Sequence, residues 1–250
     1  MFSTLDTKVL VITGRDDGSE SFSDIKVLDL LDPDKKCQNL APFAEGKTGA
    51  TGALVHGVPI VCGGYRSGRL RECHTISNNS VTPLKTQLDT ARSFATSIAV
   101  NNSLWVLGGT SRNPTSEYVQ INGTMSSKKV CSGQDDELCK MPEEFDGDSE
   151  GMTLLEVEAN TYLLVGGSST FIKRGNQSWT AGPVLNETRW YHTAGLITDQ
   201  ITRKKSVVIA GGLKGLNALS SVELLSLPIG NSEWTKGIGV FSLCFFTLFF

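Results

Sequence analysis

The chain has 250 residues and a formal net charge of -3, which is long enough for one large domain. Because the charge is small and negative and no basic run is interleaved with aromatic residues, we expect no nucleic-acid partner. Runs that favour helix are almost absent, and Gly is frequent, with 26 residues. This combination favours an all-β fold of short strands joined by turns.

An apolar strand that ends in a Gly-Gly pair recurs along the chain. A degenerate copy, KVLVITG, ends at Gly14, and full copies end at Gly64, Gly109, Gly167 and Gly212. The intervals between these glycines are 50, 45, 58 and 45 residues. A period of this length indicates a repeat architecture. The long interval is explained by a polar, acidic loop insertion over residues 122–150.

Other strands surround each Gly-Gly strand at regular offsets. A strand of small and apolar residues precedes it and starts near Lys47, Arg92, Glu150 and Arg189 in the four full copies. After Gly-Gly, a turn leads to an alternating third strand and then to a short fourth strand near Trp179 or Trp234. Each unit is therefore predicted to contain four strands.

Four strands per unit, with Gly-Gly after the second and Trp at the fourth, resemble the kelch repeat over residues 5–236. The resemblance implies an all-β, kelch-type β-propeller of about five four-stranded units, four of them clean and the N-terminal one degenerate. The units start near residues 5, 47, 92, 150 and 189.

The first unit and the tail bear on closure of the propeller. Residues 8–42 are predicted to supply only the last three strands of a unit, and the hydrophobic tail over residues 237–250 lies where an opening strand belongs. We expect either a five-unit ring closed by the tail or an incomplete ring, and favour the latter because kelch propellers more often have six or seven blades. Alternatively, the tail is a truncation artefact. It is too short to span a bilayer alone.

The six cysteines form no CxxC pair, so no metal site is predicted from them. If Ser67 and Gly68 form a two-residue turn, Cys62 and Cys73 face each other across a hairpin, which predicts a disulfide. Cys131 and Cys139 would close a small loop in the insertion. The alternative is free buried thiols, and Cys37 and Cys244 have no assigned partner.

Five N-x-S/T sequons lie at or near predicted turns, at Asn78, Asn101, Asn122, Asn176 and Asn186. Sequons together with paired cysteines favour a secreted, extracellular glycoprotein. No signal peptide is visible, and a cytoplasmic location is the alternative.

The sequence predicts no catalytic residue, no metal site and no cofactor. The histidines His56, His74 and His192 do not have the spacing of a helical ligand set. The Gly-Gly pairs suit strands that crowd together near a propeller axis, where a Cβ would clash. No helix is predicted after any pair, which disfavours phosphate binding.

Kelch propellers usually bind partners through loops at one face, either after Gly-Gly or before the opening strands. The resemblance therefore implies candidate binding residues Tyr65, Arg66, Arg92, Phe94, Ser111, Arg112, Arg189, Trp190, Tyr191 and Lys214. For Arg92 and Arg189 we favour the alternative that they tie blades together through backbone carbonyls.

These observations predict a non-catalytic module that binds an unidentified protein or glycan ligand and does not span a membrane. One alternative is a substrate-recruiting fragment of a cytosolic ubiquitin-ligase adaptor. Another is a propeller enzyme that acts on sugars, which the lack of metal-ligand clusters disfavours.

Overall fold

The computed structural model describes residues 2–5, 8–12, 14, 21–29, 37–77, 79–110, 116–122, 125–130, 140–142, 149–230 and 232–237. Within these ranges all regular structure is β-strand, and no helix is present. The chain divides into two compact units, of which the first ends at Ser132 and the second begins at Gly133. Both are built from four-stranded antiparallel sheets, here called blades.

The first unit contains three blades. Blade 1 consists of β1 (Phe2–Leu5), β2 (Lys8–Ile12), β3 (Ile25–Asp29) and β4 (Gln38–Asn39). Blade 2 consists of β5 (Thr51–Val55), β6 (Val58–Cys62), β9 (Cys73–Ile76) and β10 (Val81–Pro83), with a separate ribbon of β7 (Tyr65–Arg66) and β8 (Gly68–Arg69). Blade 3 consists of β11 (Thr96–Val100), β12 (Ser103–Leu107), β13 (Ser116–Asn122) and β14 (Met125–Val130).

The second unit contains two blades. Blade 4 consists of β15 (Thr153–Glu158), β16 (Thr161–Gly166), β17 (Ser169–Arg174) and β18 (Thr180–Ala181). Blade 5 consists of β19 (Thr193–Thr198), β20 (Lys205–Ala210), β23 (Val222–Ser226) and β24 (Thr235–Lys236), with a ribbon of β21 (Leu213–Lys214) and β22 (Asn217–Ala218). Four-stranded antiparallel meanders are the blades of a β-propeller, so the predicted fold class is confirmed.

Blade 1 corrects one expectation. Residues 8–42 supply three strands, as predicted, but the opening strand was expected from the tail, whereas β1 pairs with β2, with Phe2 opposite Val11 and Leu5 opposite Lys8. The blade therefore takes its opening strand from its own segment. Sequence reasoning missed β1 because four residues, two of them polar, are too few to show an alternating pattern. Residues 238–250, most of the proposed closing strand, lie outside the described residues.

The central strands supply much of each unit's core. In the first unit, Ile60 on β6 and Leu104 on β12 are fully buried in one cluster. In the second unit, Leu163 on β16 and Val207 on β20 lie in another, together with Trp234. Since both faces of a central strand are covered, these strands read as continuous apolar runs rather than as alternating ones.

The predicted disulfide between Cys62 and Cys73 is present, with the two Cα atoms 4.1 Å apart. The predicted turn was wrong in detail. In the ribbon, Arg66 lies opposite Gly68, so Ser67 alone forms the tip and has a φ of 47°. The disulfide forms nevertheless, because β6 and β9 pair separately from the ribbon and place the two cysteines opposite each other. Cys37 is free, and the other three cysteines lie outside the described residues.

Candidate functional site

In blades 2 to 5, the residue two positions before the first strand has a left-handed backbone. These residues are Gly49, Phe94, Gly151 and Tyr191, with φ of 62°, 56°, 63° and 55°. A left-handed conformation is ordinary for glycine but an outlier for a bulky residue. Blades 3 and 5 therefore carry an aromatic residue at a backbone position that blades 2 and 4 fill with glycine.

Each of the two aromatic rings lies on the glycine of the preceding blade in its unit. A Cβ on Gly49 would come within 2.9 Å of the Phe94 ring, and one on Gly151 would come within 2.7 Å of Tyr191 Cδ1. The backbone N–H of Phe94 donates to the Gly49 carbonyl at 2.7 Å, and that of Tyr191 donates to the Gly151 carbonyl at 2.9 Å. Both aromatic residues are half-buried, so part of each stays accessible.

Tyr191 also places a polar group at this position. Its hydroxyl donates to Glu150 Oε2 at 2.6 Å, and both residues are half-buried. A left-handed backbone at a non-glycine residue costs on the order of 1–3 kcal/mol, and such strain is concentrated at binding and catalytic sites. The Tyr191 hydroxyl and the Glu150 carboxylate thus lie together at the edge of an aromatic ring. This arrangement suits hydrogen bonding to a polar ligand.

In blades 2 and 5 a two-stranded ribbon follows the Gly-Gly pair, and each ribbon bonds to the residue before one of these left-handed positions. In the first unit, Tyr65 exchanges two backbone hydrogen bonds with Thr48, the residue before Gly49. Tyr65 is 46% exposed. Arg66 beside it forms a solvent-accessible ion pair with Glu45 at 2.7 Å. Such a pair stabilises a fold by only about 0–1 kcal/mol, so the Arg66 side chain contributes little to folding through it.

In the second unit, Leu213 exchanges two backbone hydrogen bonds with Trp190. The Trp190 ring is half-buried because it lies on the preceding blade, where a Cβ on Gly167 would approach it to 2.8 Å. Lys214 in the ribbon is exposed. Leu216 at its tip is 99% exposed. Sequence reasoning missed Leu216 because it lies outside the repeat pattern.

Arg92 and Arg189, two predicted binding residues, are instead fully buried, so neither is available to a surface ligand. Arg92 donates to the Gly108 carbonyl and to Glu117 Oε1, both at 2.6 Å. Arg189 donates to the Gly211 carbonyl at 2.7 Å and to Glu223 Oε1 at 3.0 Å. The contacts support the use of backbone carbonyls, but these bonds lie within the blade that each arginine leads into and do not tie one blade to another.

The partner carboxylates extend each arginine pair to the segment that leads into the blade. Glu117 accepts the backbone N–H of Asp89 at 2.6 Å, and Glu223 accepts that of Asn186 at 2.7 Å. Each Glu lies on the third strand of its blade. A buried Arg–Glu pair therefore joins the third strand, the Gly-Gly turn and the incoming segment, and the sequence pattern did not reveal this partner.

Blades 2 and 4 have other residues at the positions of this Arg–Glu pair. In blade 2, Lys47 takes the place of the arginine and His74 that of the glutamate, with Nζ and Nδ1 3.4 Å apart. Burial lowers the pKa of Lys47 to about 8, opposed in part by Glu72. Burial, with Lys47 adding to it, lowers the pKa of His74. In blade 4 the residue two before the left-handed Gly151 is Ser149, so the alignment of Glu150 with the arginines was wrong by one position.

His192 follows Tyr191 and is only 7% exposed. Neither ring nitrogen has a hydrogen-bond partner of normal geometry among the described residues. Burial lowers the pKa of His192 to about 4, the positive charge of Arg189 adds to the effect, and the Arg189 backbone opposes it in part. His192 is therefore a neutral histidine at physiological pH.

The sequons differ in how available their amides are. Asn101 and Asn176 are exposed in hairpin turns. Asn186 Nδ2 instead donates to Glu223 Oε2 at 2.9 Å and to the Trp234 carbonyl at 2.7 Å. Because a glycan replaces one of the two amide hydrogens, modification of Asn186 would break one of these bonds. Asn122 lies in β13, and Asn78 lies outside the described residues.

Two predicted binding residues, Ser111 and Arg112, lie outside the described residues, as do Cys131 and Cys139 of the second predicted disulfide. In the described ranges, no group of His, Cys, Asp and Glu side chains is arranged to hold a metal ion. The same ranges contain no helix with the length and apolar character needed to cross a membrane.

Comparison with known proteins identifies the fold. No family model and no curated protein matches the chain. The solved structure of YjhT, a β-propeller, is similar with a TM-score of 0.71 and 16% sequence identity, over 96% of this chain and 83% of that one. At this identity the likeness establishes the β-propeller fold alone.

Proposed function

We propose that the chain is a kelch-type, non-catalytic binding module for a protein or glycan ligand. The observation that carries the proposal is the left-handed backbone of Phe94 and Tyr191, at positions where Gly49 and Gly151 serve the fold without strain. An aromatic residue kept at an energetic cost, with part of its surface accessible, is explained by a contact outside the fold.

The surroundings of these two residues fit the same role. Aromatic residues and arginine are enriched in binding hot spots. In the first unit Phe94 and Tyr65 both bond to the backbone of residues 48–49, with Arg66 next to Tyr65. In the second unit Tyr191 has Glu150 as its partner, and the ribbon presents Lys214 and Leu216. We propose that each unit contributes its own set of ligand contacts.

We further propose that the protein is a secreted, extracellular glycoprotein. The disulfide between Cys62 and Cys73 supports this, because structural disulfides persist in oxidising compartments and are rare in the cytosol. Exposed sequons at Asn101 and Asn176 are consistent with passage through the secretory pathway.

The test is a binding screen with variants that restore the glycine of the neighbouring blades. The biotinylated full chain is applied to a glycan array and to an array of extracellular protein ectodomains, in parallel with Phe94→Gly and Tyr191→Gly. We expect at least one reproducible ligand whose signal falls tenfold or more in one of the variants. Val184→Ala, a change at an exposed apolar residue of the second unit, is the matched control and should bind normally.

Ligands that bind both glycine variants as well as the unaltered chain would overturn the proposed site. Thermal unfolding of each variant distinguishes loss of contact from loss of fold. We expect small changes in Tm, since removing the ring loses packing while relieving backbone strain.

A further inference from the structure

A cleft of about 460 Å³ opens in the second unit, away from the aromatic residues. It lies where the β15–β16 turn, the β19–β20 turn and the end of β23 come together. Its lining residues are Val157, Glu158, Ala159, Arg203, Lys204, Lys205, Leu227 and Pro228. Tyr191 precedes the six-residue strand β19, whereas the cleft lies beyond its other end. At about 3.3 Å per residue, roughly 20 Å separates the two places.

The β19–β20 turn that supplies the cations is held in one conformation. Asp199 Oδ1 accepts the backbone N–H of Ile201 at 2.9 Å and that of Thr202 at 2.6 Å. The Asp199 backbone bonds to Arg203 and Lys204, each at 2.9 Å. Arg203 has a left-handed backbone, with a φ of 58°. The three consecutive cations of residues 203–205 therefore lie on an ordered turn and on the first residue of β20.

The fold depends little on the charges of these cations: hydrogen bonds from Thr202 and Ile201 are the main cause of the lowered pKa of Asp199, and the charge of Lys204 adds a smaller contribution. Arg203, Lys204 and Lys205 are all exposed, and none forms an ion pair within 4 Å with a carboxylate of the described residues. Glu158 is the acidic residue that lines the cleft, so the lining has two more positive than negative charges. Such a surface attracts acidic segments and accelerates their association.

Apolar groups accompany the cations. Leu227 and Pro228 are half-buried and exposed, respectively, and line the cleft. On the same hairpin Ile201 is 93% exposed. A ligand that satisfies this surface needs both carboxylates and at least one apolar side chain.

We propose that the cleft binds an acidic, amphipathic peptide segment of a partner protein. Carboxylates of the segment contact the cations of residues 203–205, and an apolar side chain enters the cleft against Leu227 and Pro228. A sulfated polysaccharide fits less well, because it has no apolar side chain to place against Leu227 and Pro228. The cleft volume lies within the range of sites that enclose a few side chains or a small ligand.

The experiment uses fluorescence anisotropy with the full chain and a fluorescein-labelled probe, Glu-Glu-Leu-Glu-Glu-Leu-Glu-Glu-Leu. We expect saturable binding at 50 mM salt that weakens at least fivefold at 300 mM salt, because screening of exposed charges increases with ionic strength. A second probe with Ser in place of Leu should bind at least fivefold more weakly than the first.

Lys204→Glu with Lys205→Glu should weaken probe binding tenfold or more. The matched control is Lys140→Glu with Lys236→Glu, which makes the same charge change at exposed positions of the second unit outside the cleft lining and should stay within twofold of the unaltered chain. Equal weakening by the two double variants would show a net-charge effect and overturn the site. Thermal unfolding of both variants checks that they are folded.

Two further outcomes overturn the proposal. One is absence of probe binding at 1 mM protein and 50 mM salt. The other is binding of a heparin octasaccharide that depends on Lys204 and Lys205 while the peptide probe does not bind. Tyr191→Gly leaves the cleft unchanged and should bind the probe normally. Loss of probe binding at the cleft and loss of ligand binding at Tyr191 can therefore be observed separately.

Discussion

The neutral His192 gives the second unit a calculable dependence of stability on pH. An unfolded histidine titrates near pH 6.5, whereas burial lowers the pKa of folded His192 to about 4. Between these values the unfolded state binds the extra proton, so the free energy of unfolding falls as pH falls and is fully restored above 6.5. At 1.36 kcal/mol per pKa unit, the loss by pH 4 is about 3 kcal/mol.

The assay is urea unfolding of the disulfide-bonded full chain at pH 7.5, 6.5, 5.5 and 4.5, followed by tryptophan fluorescence. Trp179, Trp190 and Trp234 lie in the second unit, so the signal reports mainly on it. The perturbation is His192→Met, because Met152 occupies the equivalent position of blade 4. The variant should lose the part of the pH dependence that His192 causes, so the difference in stability between the two proteins should change by about 2.5 kcal/mol from pH 7.5 to pH 4.5.

A second variant checks that a substitution alone does not remove the pH dependence. Val184→Ala changes an exposed apolar residue of the second unit and no titratable group. This variant should therefore follow the pH profile of the unaltered chain. If the unaltered chain and His192→Met lose stability in parallel between pH 6.5 and 4.5, the burial argument for His192 is refuted.

The remaining predictions concern buried pairs and modification. Arg189→Met should lower the free energy of unfolding in urea by about 3–5 kcal/mol, because it leaves Glu223 buried and without its ion-pair partner; an effect under 1 kcal/mol would contradict a buried pair. Replacing both Cys62 and Cys73 by Ala should cost about 2–4 kcal/mol in the same assay, since the crosslink closes a loop between residues 11 positions apart. Peptide mass spectrometry after glycosidase treatment in ¹⁸O water, on protein secreted from eukaryotic cells, should show glycan at Asn101 or Asn176 and none at Asn186; a fully occupied Asn186 would mean that its amide bonds are dispensable.

Much of the fold could be read from the sequence because its signals are local. An apolar run that ends in Gly-Gly reports a buried central strand followed by a tight turn, and both features are written in adjacent residues. The disulfide was predictable for the same reason, since Cys62 and Cys73 lie on two strands joined by a short connection.

What the sequence did not reveal depends on contacts between distant residues. Glu117 is an ordinary polar residue of an alternating strand until Arg92, 25 positions away, is placed against it. The sequence alignment placed Glu150 with the arginines because it counted back from the second glycine of each Gly-Gly pair. In the other pairs both glycines have a positive φ, whereas in blade 4 Gly167 does and Gly166 does not. Gly167 is therefore equivalent to the first glycine of the other pairs, and the alignment of blade 4 shifts by one residue. Such offsets become visible only when backbone conformation is known.

Placing an aromatic ring over a glycine has an evolutionary consequence. Because the Phe94 ring occupies the space beside Gly49, a side chain at position 49 is incompatible with it, and the same holds for Tyr191 and Gly151. The two members of each pair are therefore epistatic: a side chain at the glycine position clashes with the ring, whereas loss of the ring leaves the glycine unaffected. Substitutions at the two positions are therefore expected to occur in a fixed order: the aromatic residue must be lost before the glycine can gain a side chain.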